Sequence, residues 1–292
     1  MAIHQTKTLN CNQGVYFLAN DSVIDNVIAF LNSFRENNPD IALRLVPYDD
    51  SIEHIVSLQS EYNFSVWRSD QLFQKCDEIS MQFHGKVFGH YRKLALWEGP
   101  FEEFIYIDTD TVILEKIDFV FQFLASYSFI ASHSNVRSIR KWVWKDSVEK
   151  ATLLTREQIS FAANTGFFSS KRGNLSVTKA LKSLPRALAL VEHMELLCIE
   201  QPFLNYLVVT SDLPFTSLST LFLELRSDDV ALERWGGSNL GLVVNGRIIS
   251  PCFPRTLLVH WAGEWKRASL EGSPIRNEDL WKHYRYLRAT DA

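Results

Sequence analysis

The sequence has few of the residues that build disulfide or zinc frameworks. Four cysteines, Cys11, Cys76, Cys198 and Cys252, are scattered over 292 residues. None lies within four residues of another, so the paired spacing of a zinc site is absent. Basic charge is short as well. Lys and Arg total 30 against 34 Asp and Glu, a net −4, which argues against a whole-protein footprint for nucleic acid and leaves room for a local basic pocket around a phosphate. A long apolar run is missing too. The longest uncharged stretch, Phe119–Val136, contains Gln122, Ser126, Ser128, Ser132, His133, Ser134 and Asn135, too polar for a membrane span. The opening MAIHQTKTLNCNQG lacks the apolar centre of a signal peptide. Together these absences lead us to expect a soluble cytoplasmic protein.

What is present is ordinary globular composition, 46% hydrophobic and 22% charged, which excludes wholesale disorder and supports one substantial core. No repeat or low-complexity tract is visible. Val15–Ala19 reads as a buried strand. Asn20, Asp21 and Ser22 then start a helix over Val23–Asn37, with Val23, Ile24, Val27, Ile28 and Leu31 at helical spacing. Pro39 ends it. Ile41–Val46 reads as a strand, Ser51–Tyr62 and His90–Trp97 as helices, and Phe104–Ile107 as a further strand. This alternation predicts an α/β fold, a mainly parallel twisted sheet with helices on both faces. Farther on, Ser128–Ala131 and Gly166–Ser169 read as strands, and Asn174–Val191 and Ile199–Val208 as helices. Residues 212–256 are irregular, with short β-like runs at Leu242–Val244 and Arg247–Ile249. Thr256–His260 reads as a last strand and Glu278–Arg288 as a last helix. No linker stands out, so a single domain over 1–292 is expected.

In such sheets ligands bind at the carboxyl ends of the strands. Asn20–Asp21 and Asp108–Asp110 both fall there. Asp108 and Asp110, at i and i+2 on extended backbone, project to one side and can chelate a divalent cation. Alone, the tripeptide is a weak signal and reads more readily as a solvated strand-end turn. His260 closes an apolar strand and can supply a neutral imidazole to the same cation, or simply be a hydrogen-bonded strand-end histidine. Gly263 lets backbone approach a phosphate, and Lys266 offers it a point charge.

Taken in order, these segments resemble family 8 glycosyltransferases, whose members include glycogenin and bacterial lipooligosaccharide galactosyltransferases. The resemblance rests on Asn20-Asp21 after an apolar strand, on Arg92–Trp97, and on Phe104–Ile107 with Asp108-Thr109-Asp110. It continues through Ala163–Phe168, Glu200–Asn205, and His260, Gly263 and Lys266. It implies a GT-A fold, with a nucleotide-binding half at about residues 15–115, an acceptor and donor-sugar half at about 116–270 and a C-terminal helix over 271–292. It also implies a nucleotide-sugar donor, UDP-glucose or UDP-galactose in such a family, an acceptor glycan, small molecule or protein, and retention of configuration. Mn²⁺, or else Mg²⁺, would be held by Asp108, Asp110 and His260. Nucleotide contacts carry over to Phe17, Ala19, Asn20 and Thr109, diphosphate contacts to Gly263 and Lys266, and donor-sugar or catalytic roles to Lys93, Asn164, Glu200 and Gln201. Glu200 stands where the family mostly has Asp, Pro202 where it has a small or acidic residue, and Arg267-Ala268 where Pro-Trp follows the lysine.

Other features read more than one way. His84–His90 is a surface loop or a lid on the donor. Lys141–Lys145 stacks and attracts an anionic acceptor or forms a helix face. Trp281–Arg288 is a helix packed on the domain in preference to a membrane-surface anchor. A sugar-phosphate nucleotidyltransferase and a catalytically inert nucleotide-sugar or partner-binding module are the alternatives to a transferase.

Overall fold

A computed structural model describes residues 12–225, 230–249 and 255–288. Cys11 and Cys252 lie outside them. The strands in chain order are β1 Gln13–Ala19, β2 Ala42–Pro47, β3 Ser65–Val66, β4 Glu103–Ile107, β5 Thr111–Ile113, β6 Phe129–Ala131, β7 Phe167–Lys171, β8 Phe215–Ser217, β9 Leu232–Trp235, β10 Leu242–Val244, β11 Arg247–Ile249 and β12 Thr256–His260. Seven form a central sheet in the order β3-β2-β1-β4-β7-β6-β8. β7 is antiparallel to both its neighbours, and the other six run in one direction. The mainly parallel sheet expected from the alternation is therefore present.

Helices cover both faces because β1 and β4 are apolar on both. Tyr16, Leu18, Phe104 and Tyr106 face one core, with Phe73, Ile79 and Phe83 of the helix Asp70–His84. Val15, Phe17, Ile105 and Ile107 face the other, with Val27, Phe30 and Phe34 of the helix Ile24–Asn37. Successive side chains along a strand alternate between the two, as pleating demands.

Several elements differ from the sequence reading. The helix Asp70–His84 was not anticipated, because its buried Phe73, Cys76, Ile79 and Phe83 are diluted by polar residues. It turns at Gly85, whose φ is 67°. The expected helix over Ser51–Tyr62 is broken at Leu58 into Glu53–Ser57 and Gln59–Tyr62. His90–Trp97 lies in a 3₁₀ run, Gly89–Glu98. The irregular second half supplies two further strands, β8 and β9, besides the β10–β11 hairpin.

A second, three-stranded sheet has the order β5-β12-β9. It stands beside the carboxyl end of β4, because β5 follows the Asp108–Asp110 turn directly. The C-terminal helix Glu278–Arg285 buries Leu280, Trp281 and Tyr284, and Asn32 of the first helix donates to the carbonyl of Tyr284 at 2.8 Å. Its aromatic residues thus pack on the domain, as expected. Among the described residues, no helix is long and apolar enough to cross a membrane.

Candidate metal and donor site

The small sheet explains why three residues far apart in sequence converge. β5 and β12 pair antiparallel with Thr111 opposite His260, and the Trp261 amide donates to the Asp110 carbonyl at 2.9 Å. Asp110 is thereby held beside His260. Asp108 is placed from the other side. Its amide donates to the Gly166 carbonyl at 2.8 Å, and Thr111 Oγ1 donates to its own carbonyl at 2.7 Å. One ligand atom from each of Asp108, Asp110 and His260 lies within 4.8 Å of the other two. His260 Nε2 is 3.1 Å from Asp110 Oδ1 and 3.9 Å from Asp108 Oδ2. Two carboxylates and an imidazole this close together are a donor set that could hold a divalent cation. Gly166 is required by the close approach. A Cβ there would sit 2.2 Å from His260 Cε1 and 3.0 Å from Asp108 Oδ2.

The electrostatics follow from burial and pairing. Lys93 is buried, and its ammonium lies 2.6 Å from Glu200 Oε1 and 3.1 Å from Asp108 Oδ1, with the Thr165 carbonyl at 3.4 Å. Burial alone would lower its pKa, but Asp108 and Glu200 outweigh that and raise it. Asp108 is shifted the other way. Burial pushes its carboxyl up, yet Lys93, His260 and the hydrogen-bonding Tyr106 hydroxyl bring it below the usual range. His260 would be neutralised by burial, but Asp110 and Glu233 hold its pKa well above that of free imidazole.

Asn164, Glu200 and Gln201 connect to this centre through hydrogen bonds. Asn164, half-buried, accepts from the Gly166 amide at 2.9 Å and donates to Glu233 at 2.8 Å. Glu200 is buried, and its Oε1 also accepts from Thr165 Oγ1 at 3.2 Å. Gln201 starts the helix Gln201–Val209 and accepts from the Thr165 amide at 3.1 Å while donating to the Trp142 carbonyl at 3.0 Å. Pro202 is in that helix's first turn, where its missing N–H costs nothing.

At the carboxyl end of β1, Asn20 donates to Asp49 at 2.6 Å, and Asp21 accepts from the His54 and Ile55 amides. Phe17 is fully buried against Phe30 and Phe64, so its side chain belongs to the core. Ala19 and Thr109 are buried. Gly263, with φ 72°, precedes the helix Glu264–Glu271, and Lys266 is exposed in its first turn, on a helix and not in a loop. His84 and His90 do not form a free surface loop. His84 Nε2 is 3.1 Å from the Tyr91 hydroxyl, and His90 packs edge-on to Tyr48.

Sequence reading missed Glu233. It lies on β9 and is buried, with Oε1 2.9 Å from His260 Nδ1. No spacing rule links it to His260, since a strand neighbour 27 residues upstream is a product of topology.

No family model matches the chain, and no curated protein matches it. Solved structures do. The galactosyltransferase LgtC in complex with donor and acceptor sugar analogs aligns at 11% identity with a TM-score of 0.54, over 93% of this chain and 95% of that one. An active-site mutant of LgtC gives 11% and 0.52, over 93% and 99%. Mouse xyloside xylosyltransferase 1 in its apo form gives 13% and 0.51, over 85% and 97%. The chain spans only 47% of the bifunctional glycosyltransferase WbbM and 60% of the glycosyltransferase GlyE of Streptococcus pneumoniae TIGR4. At these identities the likeness is one of fold, and the chain has the GT-A-like mixed α/β fold seen in LgtC.

Proposed function

We propose that this chain is a metal-dependent, retaining glycosyltransferase that moves a hexose from a nucleotide sugar, UDP-glucose or UDP-galactose, to an acceptor hydroxyl. The observation that carries the reading is the convergence of Asp108, Asp110 and His260 at the carboxyl end of the central sheet. Mn²⁺ bound there would act as a Lewis acid on the donor diphosphate. The chain's own groups do the rest. Gly263 and the exposed Lys266 receive the diphosphate at a helix start, where backbone N–H groups and a cation favour an anion. Asn20, Thr109 and the backbone at Phe17 and Ala19 border the nucleotide. Lys93 and Tyr106 hold Asp108 in one orientation before any ligand arrives.

Asn164, Gln201 and Glu200 line the sugar side. Glu200 is seated under the site with Oε1 taken by Lys93 and Thr165, which makes it a poor nucleophile. Gln201 is an amide and poorer still. Both facts favour front-face attack, in which the acceptor hydroxyl gives its proton to the departing phosphate oxygen.

The test is a panel of nucleotide sugars with Mn²⁺, scored by released nucleotide and by mass shift of the protein and of added acceptors. We expect UDP release from a UDP-hexose that stops with EDTA and in Asp110→Asn, whose fold by circular dichroism stays intact. Metal-independent release, or pyrophosphate release from a nucleoside triphosphate, would overturn the reading, the latter in favour of a nucleotidyltransferase.

A further inference from the structure

We propose that Glu233 is a positioning residue for the cation site: it binds the Nδ1 edge of His260 and so leaves Nε2 as the nitrogen presented to Asp108 and Asp110. The inference rests on the metal reading above and goes beyond it by assigning a role to a residue that lies in none of the motifs.

The observation is a built arrangement on β9 and β12. These strands run parallel with Glu233 opposite Leu258. His260 is two residues on, so both side chains project from the same face of the small sheet. Both are almost wholly buried, Glu233 at 7% exposure and His260 at 3%. The two ring nitrogens are used differently. Nδ1 is 2.9 Å from Glu233 Oε1, while Nε2 is 3.1 Å from Asp110 Oδ1. An imidazole can ligate a metal only through a nitrogen that carries no proton, and the hydrogen bond at its other nitrogen fixes which one that is.

Glu233 is itself fixed. Asn164 Nδ2 donates to the same Oε1 at 2.8 Å, and Asn164 Oδ1 accepts from the Gly166 amide at 2.9 Å. A chain of contacts therefore runs from Gly166, which could not bear a Cβ at this spot, through Asn164 and Glu233 to the ring of His260. Besides His260 and Asn164, the Ser132 hydroxyl and His133 act on this carboxylate and favour its charged form. A buried carboxylate is costly on a strand position that an apolar residue would suit. A carboxylate behind the imidazole makes the ring a stronger donor to a cation and adds a negative charge close to it.

The experiment measures Mn²⁺ affinity directly, by electron paramagnetic resonance of the free ion, in the full chain without any donor sugar. Thermal unfolding and circular dichroism are recorded on every variant. We expect Glu233→Ala to weaken Mn²⁺ binding about 10–100-fold. Glu233→Gln keeps the shape and an acceptor oxygen but loses the charge, and is expected to fall between it and the wild type. If Glu233→Ala does not fold, Glu233→Gln decides. Asp110→Asn serves as the control that removes a charged ligand. Folded Glu233 variants with wild-type Mn²⁺ affinity, alongside an Asp110→Asn that has lost it, would overturn this inference and leave the site reading standing. A wild-type chain that binds no Mn²⁺ would overturn both.

Discussion

Lys93 joins two of the carboxylates around the centre. Its ammonium bridges Glu200 and Asp108, and it lies 4.6 Å above the ring of Tyr106. Buried pairs of this kind contribute little over an apolar replacement of the whole set, but removing one partner strands the other charge in a low-dielectric interior. Lys93→Met is therefore expected to destabilise the fold by about 3–5 kcal/mol in urea titration, and adding Glu200→Gln should recover part of that loss. A single variant within 1 kcal/mol of wild type would show that water reaches and solvates the pair.

At this scale the sequence was informative where chemistry and spacing coincide. Asp108 and Asp110 stand two apart after an apolar strand, and His260 ends another, so each was nameable before any fold was known. What it concealed was who pairs with whom. Lys93 is expected at the donor sugar from the resemblance, and no spacing in the sequence announces its contacts with Glu200, Asp108 and the Thr165 carbonyl. Glu233 was invisible, because nothing local distinguishes a glutamate that a strand register will bury behind a histidine.

The elements that make the site are small. β5, β12 and β9 are three, five and four residues long, yet they deliver Thr111 next to Asp110, His260, and Glu233. β12 and the β10–β11 hairpin were legible as apolar or β-branched runs. β5 was hidden behind the Asp108–Asp110 turn, and β9 carries a charged pair, Glu233 and Arg234, that disguises a strand. The helix Gln201–Val209 was read from its periodicity with nearly its observed limits. Its tie to the site was only partly foreseen.

Asn205 on that helix is buried. Its Oδ1 accepts from the Ala163 amide at 2.6 Å, and its Nδ2 donates to the Ala163 and Gln201 carbonyls at 2.8 and 2.9 Å. It pins the Ala163–Gly166 segment to the helix start and so sets Asn164 and Gly166 in place. Asn205→Ala orphans those backbone groups. The expected cost is about 1–3 kcal/mol, read as a shift in urea midpoint, with turnover falling more than nucleotide affinity. Unchanged stability would mean that the segment finds other partners.

Over the whole molecule, the sheet divides two apolar cores, and the site opens where the carboxyl end of β4 meets the second sheet. The fold class was legible because alternating strands and helices leave few ways to bury both faces. The C-terminal helix closes the structure against the first helix. Arg285 pairs with Asp25 at 2.6 Å and Arg288 with Glu61 at 3.2 Å, both exposed pairs that add little stability, so apolar burial of Leu280, Trp281 and Tyr284 does the holding. The likeness to LgtC extends over 95% of that chain at only 11% identity. Identities so low carry the architecture and leave the chemistry to the site.

The central claim is that Asp108, Asp110 and His260 hold one cation through which the chain binds a nucleoside diphosphate. Calorimetric titration of UDP into the protein, with Mn²⁺ and after EDTA, in the wild type and in Asp110→Asn, tests it most directly. The account expects UDP binding that requires both the metal and Asp110, with the variant as stable as wild type. Equal UDP affinity with and without metal, or in both proteins, would contradict it.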